Sequence, residues 1–458
     1  MVNILIIGGG WGGLSVAHQL AKRKNSKITL LDRNKFLGGQ AASIKSLLCY
    51  VEYSWRVFFG GYKYVHKIVR DLNIKENFDY LGQVCISSDG DCIDMSKLNR
   101  KPISDIMKTF KLSKWDLLKL KWLISLPEWL LNTYSDTPFT EYFNTAPLFM
   151  LIAGPVLGQE PTKVSVPEVI NTIRDIIKNN KSNLKNTKWQ VTSGPPNESI
   201  FIPWKKFLKV KGVNFVLGPK GEVTQIKNSK GKWEVFTKNK KYIADKLVIS
   251  SSLLSTIKLL HKYRKLNTMQ NLIRLKPCLQ TYLSINFYFT EKIKGLPKSF
   301  ILMDRKWMPI IEVKKWSKYI KKCDKVIKSV WNVGVYDLVK GERCKKYLRN
   351  CTLDQAITET IYQVRTDPLI KKMIPNFDRI FYKAEVFPYW SNKKGKIYTS
   401  NPKFSINAGC AQYLIDSIPK EPELHNLYFA AYYCKSDIGG VSMERSCRIG
   451  TILGKKLK

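Results

Sequence analysis

Val2-Asn3-Ile4-Leu5-Ile6-Ile7-Gly8-Gly9-Gly10-Trp11-Gly12-Gly13 is the stretch whose reading decides the fold. Residues 2–7 are nearly all apolar, as a short strand covered on both faces requires. Gly8, Gly10 and Gly13 fit the pattern G-x-G-x-x-G. Leu14, Ala17, Leu20 and Ala21 then recur at helical spacing. Residues 28–31 form a second apolar strand, which ends in Asp32. The order strand, glycine turn, helix, strand, acid is that of a dinucleotide-binding unit. Gly8 permits the tight turn, Gly10 lets backbone approach a pyrophosphate, and Gly13 lets the helix pack on the strands. The helix N-terminus offers free N–H groups and the positive end of its dipole to phosphate. Asp32 stands where a carboxylate accepts hydrogen bonds from ribose hydroxyls.

A second glycine pair follows in Phe36-Leu37-Gly38-Gly39-Gln40-Ala41-Ala42-Ser43. It resembles the GG motif of flavin amine oxidases and carotenoid desaturases, closest to plant-type phytoene and zeta-carotene desaturases. There the pair passes beside the FAD pyrophosphate; Gln40 replaces the usual Lys or Arg. Glu52-Tyr53-Ser54-Trp55-Arg56-Val57-Phe58-Phe59-Gly60-Gly61-Tyr62 is similar to the family segment that lies beside the isoalloxazine ring, with Tyr53 in place of the common His. The resemblance makes Arg56, with Tyr389 and Trp390 of the later aromatic stretch 387–390, the ring-side candidates.

The likeness continues toward the C-terminus. Residues 194–212 resemble the family's Gly-x-Pro-Pro-Glu segment, which leads into a helix and back to the FAD domain. Strands are expected at 213–216 and 222–226, and the resemblance assigns Val223 a backbone contact to adenine. Residues 244–251 resemble the strand and turn that close that domain. Segments 275–288 and 387–390 look like substrate-lobe strands. Asn426-Leu427-Tyr428-Phe429-Ala430-Ala431, a loop, and Gly440-Val441-Ser442-Met443-Glu444-Arg445-Ser446 resemble the final flavin motif. Ser442 and Met443 would present backbone N–H groups at a helix start. The family's Gly-Asp is here Ala431-Tyr432, and its Gly-Ala is Arg445-Ser446, where Arg445 would add a cation near the phosphates. Cys434 and Cys447 lie near this motif and read as buried small residues rather than as a flavin thioether.

Residues 108–131 alternate Trp, Leu and Phe with Lys, and Trp115, Trp122 and Trp129 recur every seven residues. Two readings stay open: a basic stretch in a membrane interface, or a surface helix of the substrate lobe. Pro127 interrupts any single helix.

The 458-residue chain holds 77 Lys plus Arg against 36 Asp plus Glu, for a net charge of +41. That field attracts anionic cofactors, nucleic acid or acidic membrane, although coding bias toward Lys, Asn and Ile accounts for much of it. Ten cysteines form no CxxC pair and four histidines show no ligand spacing, so no metal site is expected. Scattered cysteines fit reduced thiols. No apolar run spans a bilayer and no signal peptide is evident, so a cytoplasmic protein that is not secreted, or one lying on a membrane surface, is expected.

The expected fold is α/β: a Rossmann-type FAD-binding domain (residues 1–105, 200–270 and 405–458) with a discontinuous mixed α+β substrate domain (106–199 and 271–404), these boundaries following the family. Three functions remain open. The first is an FAD-dependent, desaturase-like oxidoreductase that moves hydride from a lipophilic small molecule to flavin. The second is a peroxide-releasing flavin amine oxidase. The third is a basic binding or structural protein that retains the fold without turnover.

Overall fold

The computed structural model describes residues 1–23, 25–88, 90–94, 113–143, 162–182 and 189–457. Two sheets organise it. The first is five-stranded and wholly parallel, in the order Leu427–Phe429, Lys246–Ile249, Val2–Ile7, Ser26–Asp32, Asn214–Leu217. Its central strand carries the buried run Ile4 to Ile7, which explains the absence of polar alternation. Segments from both ends of the chain and from its middle therefore share one sheet. The long-range parallel pairings need crossovers, supplied first by helix Trp11–Leu20.

The last helix, Met443–Lys456, packs on that first helix. Close approach is possible because of its glycines. A Cβ on Gly450 would collide with Gly12 O, and one on Gly454 would stand 2.8 Å from Gln19 Cβ. Glu444 in its first turn reaches back to accept the N–H groups of Tyr64 (2.8 Å) and Val65 (2.9 Å), capping helix Lys63–Asp71.

The second sheet is seven-stranded, in the order Phe381–Val386, Tyr282–Phe289, Ser329–Tyr336, Ile310–Val313, Ser299–Leu302, Val84–Ser88, Asp91–Asp94. Its pairings are antiparallel except between Ser299–Leu302 and Val84–Ser88. Strands Tyr282–Phe289 and Ser329–Tyr336 are buried along their whole length, so this sheet is covered on both faces. The rule that antiparallel strands alternate polar and apolar does not hold here.

The mixed α/β architecture agrees with the expectation, as do the strands near 213–216 and 222–226, which form at Asn214–Leu217 and Val223–Ser229. The aromatic stretch 387–390 differs. Residues 387–389 turn, and only Trp390 enters a strand, the hairpin Trp390–Lys393 with Lys396–Thr399. Pro388, which lacks an N–H, suits the turn. The cysteines differ as well. Cys49 is bonded to Cys323 and Cys85 to Cys92, contrary to the expectation of scattered reduced thiols. These pairs meet through strand and loop packing that spacing alone does not reveal. Cys434 and Cys447 are free and buried.

Helix Lys114–Ser125 begins at a Ser113–Asp116 capping box and stops before Pro127, with Glu128–Leu131 forming a separate short helix. Residues 108–112 of the basic aromatic stretch lie outside the described residues. Trp115 and Trp129 are each 72% exposed, Leu118 55% and Trp122 43%. No helix among the described residues is long and apolar enough to cross a membrane.

Candidate functional site: a cleft at the C-terminal edge of the parallel sheet

A cleft opens where the parallel strands end and the first helix begins, the place where doubly wound sheets take ligands. Gly8, Gly9, Gly10, Asp32, Gly38, Gly39, Val223, Ser442 and Met443 all line it, as do Arg56 and Tyr389. Residues from the first, middle and last parts of the chain therefore line one cleft. Gly13 stays beneath the surface, where a Cβ would strike Gly8 O; its part is packing.

The glycines create a backbone cradle. Gly8 has φ 108° and its N–H donates to Leu31 O at 2.8 Å. No atom lies within 4 Å of where a Cβ on Gly10 would stand. Gly10 also caps the first helix without a side-chain partner. The N–H groups of a helix's first turn have no intrahelical partner, and Gly10 has no side chain to cap them, which is the condition for an anion to do so. Gly38 (φ 110°) and Gly39 (φ 57°) take left-handed conformations. The Gly38 N–H donates to Gly9 O at 2.8 Å, which ties the second glycine pair against the first.

Asp32 is buried at the mouth of this cradle. Its Oδ2 accepts Gly9 N–H at 2.7 Å, and its Oδ1 accepts the backbone and side-chain N–H groups of Asn34 at 2.8 and 2.9 Å. Burial raises its pKa, opposed by those hydrogen bonds. The carboxylate thus shapes the loop as well as facing the cleft.

The opposite end is aromatic and basic. Arg56 donates to Gln40 O at 2.6 Å, and its Nε is buried without a hydrogen-bond partner. Gln40, where the resemblance led one to expect a cation, donates to Pro402 O at 2.7 Å and joins the glycine loop to the segment around residues 401–402. Tyr389 lines the cleft with its hydroxyl unpartnered. Trp390 is not among the lining residues; it is buried behind them, its ring stacked near Tyr53 with centroids 6.3 Å apart. Only two of the three ring-side candidates therefore reach the site.

Two departures from the family pattern resolve in opposite ways. Tyr432 lines the cleft, accepts Leu253 N–H at 3.2 Å and packs on Phe404; burial pushes its phenol up to about 12. It supplies no carboxylate to the cleft. Arg445 points away. Its guanidinium donates to Ile438 O at 2.8 Å and Cys434 O at 2.9 Å, and burial lowers its pKa. The expectation that it adds charge near the phosphates is corrected: the carbonyls of the preceding loop draw it inward.

Reading the sequence missed Ser250–Ser252, Lys258, Glu222 and Asn401, which also line the cleft. Ser250 follows directly on a strand that was foreseen, so its place at the strand's end was the available signal. Asn401 carried none. Behind Arg56 lies a buried triad that was also unforeseen. Lys314 Nζ is 2.5 Å from a Glu52 oxygen and 2.6 Å from a Glu312 oxygen. Burial works against the ammonium, yet the two carboxylates hold it above its usual range. Burial pushes the Glu312 carboxyl up to about 7.

The two glycine turns beside the start of the first helix have the form of a nucleotide-binding cleft. Comparisons agree with this geometry. Residues 6–72 match the NAD(P)-binding Rossmann-like domain family. No curated protein sequence matches the chain. Among solved structures, an oxidoreductase from Methanosarcina mazei has a TM-score of 0.64 at 14% identity, covering 99% of this chain and 100% of that one. Putrescine oxidase bound to putrescine has a TM-score of 0.66 at 11% identity, covering 100% and 98%. Cyclohexylamine oxidase from Brevibacterium oxydans has a TM-score of 0.64 at 12% identity, covering 100% and 99%. The whole chain shares the fold of these oxidoreductases.

Proposed function

We propose that the chain is an FAD-dependent oxidoreductase of desaturase-like type, acting on a lipophilic small molecule. The observation that carries this reading is that both glycine turns, Val223, Ser442 and Arg56 line one and the same cleft. Bound FAD would supply the hydride acceptor; the protein supplies position and electrostatics. Gly8, Gly10, Gly38 and Gly39 would bring backbone to the pyrophosphate, and Asp32 would face the ribose. Ser442 and Met443, at the start of the last helix, would turn N–H groups toward charge that develops on the ring.

The amine oxidase alternative draws on the names of two fold neighbours. Arg56 speaks against it, because an unpaired guanidinium is a poor neighbour for a protonated amine. The reading is tested by anaerobic mixing of the FAD-loaded protein with polyenes, amphiphilic alkenes and amines. Bleaching of the flavin by an apolar or amphiphilic compound supports it. Bleaching by amines alone, with peroxide released in air, supports the alternative; no reduction by any compound favours a binding role.

A membrane surface is proposed as the source of substrate. Trp115, Leu118 and Trp122 fall at i, i+3 and i+7 on one helix face, beside exposed Lys114, Lys119 and Lys121, with exposed Trp129 beyond the proline break. Tryptophan with lysine suits an acidic interface. Replacing Trp115, Trp122 and Trp129 together by Ser is expected to weaken binding to vesicles containing phosphatidylserine by about tenfold or more, since each buried aromatic contributes on the order of 1.5–3 kcal/mol. Unchanged co-sedimentation would remove the membrane from the account.

A further inference from the structure

One cation that lines the cleft, Arg56, and a second beside it, Lys403, have no carboxylate bound to them among the described residues. Arg56 lines the cleft, makes its one described hydrogen bond to a carbonyl, and keeps a buried Nε unpartnered. Lys403 stands two residues beyond the lining residue Asn401. Its Nζ lies 4.1 Å from the centroid of the Tyr282 ring and 5.6 Å from that of Tyr336. Neither cation forms an ion pair with a described residue. Both act on Tyr282, so they share one neighbourhood.

The nearest carboxylates do not neutralise this pair. Glu52 acts on Arg56 at a distance, but its carboxylate is engaged by Lys314 together with Glu312. Fully ionised, Glu52, Glu312, Lys314, Arg56 and Lys403 sum to +1, and protonation of Glu312 makes the excess larger. Uncompensated positive charge in a low-dielectric interior is costly unless something pairs with it. The phenols of Tyr53, Tyr62, Tyr282 and Tyr336 surround Arg56; burial raises the pKa of each, so they remain neutral donors rather than counter-ions. Burial and the charge of Arg56 lower the pKa of Lys403 well below the usual range, so its ammonium is disfavoured without a partner and would be stabilised by an anion beside it.

We propose that Arg56 and Lys403 form an anion subsite that holds a carboxylate group of the substrate. The substrate class is then a carboxylate-bearing amphiphile, with its apolar part against the aromatic wall and its acid group on the two cations. A guanidinium accepts a carboxylate in a two-pronged geometry, and an ammonium adds a point charge. This deepens the flavoprotein reading and rests on it for the place of the reacting carbon; the subsite itself is defined by the side chains alone.

The test is calorimetric titration of the full chain, supplied with FAD, against three probes of equal length: decanoate, decanol and decylamine. Decanoate is expected to bind about tenfold or more tighter than decanol, and decylamine more weakly than either. Arg56→Gln and Lys403→Met should each abolish most of the preference for decanoate over decanol; Arg56→Lys and Lys403→Arg, which keep the charge, should restore part of it. Decanoate binding no tighter than decanol overturns the proposal, as does a preference that survives both neutral substitutions. Should a neutral variant fail to fold, the three-probe comparison on the unaltered chain decides. Flavin absorbance of the same samples separates the two readings. FAD bound with no carboxylate preference removes the subsite alone; a carboxylate preference without bound FAD keeps the subsite and removes the flavin.

Discussion

Gly10 and Gly13 stand three residues apart, and a methyl group would affect them differently. At Gly10 a Cβ meets nothing within 4 Å, and its φ of −80° suits any residue. At Gly13 a Cβ collides with Gly8 O. Gly10→Ala is therefore expected to keep its melting temperature and lose FAD affinity, because the methyl occupies the space a pyrophosphate needs. Gly13→Ala is expected to lose stability by about 1–3 kcal/mol or more, since the helix must move off the strand. Thermal melting followed by FAD titration of both variants distinguishes them; equal affinity of Gly10→Ala and the parent would refute the cradle. These glycines were legible in the sequence because they act through local backbone. Lys403 was not: the chain is so rich in lysine that only the fold sets this one over Tyr282.

The buried triad also belongs to the residue scale. Glu312, raised from 4.5 to about 7 by burial, holds its proton more tightly when folded than when unfolded. Its contribution to stability is therefore present below about pH 4.5 and is lost as pH rises through about 7. Glu312→Gln keeps the Lys314–Glu52 pair and should flatten the dependence of melting temperature on pH across that window. Lys314→Met leaves two buried carboxylates unneutralised and is expected to cost about 3–5 kcal/mol. A parent protein whose stability rises from pH 5 to 7.5 relative to Glu312→Gln would contradict this sign.

At the scale of elements, the first and last helices hold the cleft together. Gly450 and Gly454, four residues apart, let helix Met443–Lys456 lie against Trp11–Leu20. That contact sets Ser442 and Met443 opposite the glycine turn. Gly450→Leu is expected to destabilise the fold and to weaken FAD binding together, whereas the Gly10 substitution separates the two effects. Urea unfolding monitored with and without FAD checks this; a Gly450→Leu protein as stable as the parent would show that the helices do not pack so closely. The strands flanking the cleft could be read from their apolar runs, and both glycine turns from their residues. The antiparallel sheet was far less legible. Its strands Tyr282–Phe289 and Ser329–Tyr336 are buried on both faces and lack alternation, and their pairing joins residues about fifty positions apart. Arg445 shows the same limit: its neighbourhood was correctly foreseen, but its direction depends on loop carbonyls at Cys434 and Ile438.

The whole molecule joins a parallel sheet, at whose strand ends the cleft opens, to a larger and mainly antiparallel sheet, and Glu52 of the short strand Tyr50–Glu52 pairs with Lys314, which directly follows strand Ile310–Val313 of that larger sheet. Excess positive charge extends over this frame, and an exposed tryptophan face lies on helix Lys114–Ser125. These features belong to one account only if the cradle holds FAD. The absorbance spectrum of the purified chain, recorded before and after denaturation, tests that directly. Flavin bands in the folded protein, released as free FAD in about equal molar amount, are the predicted result. A colourless protein that takes up no FAD on reconstitution would contradict the account.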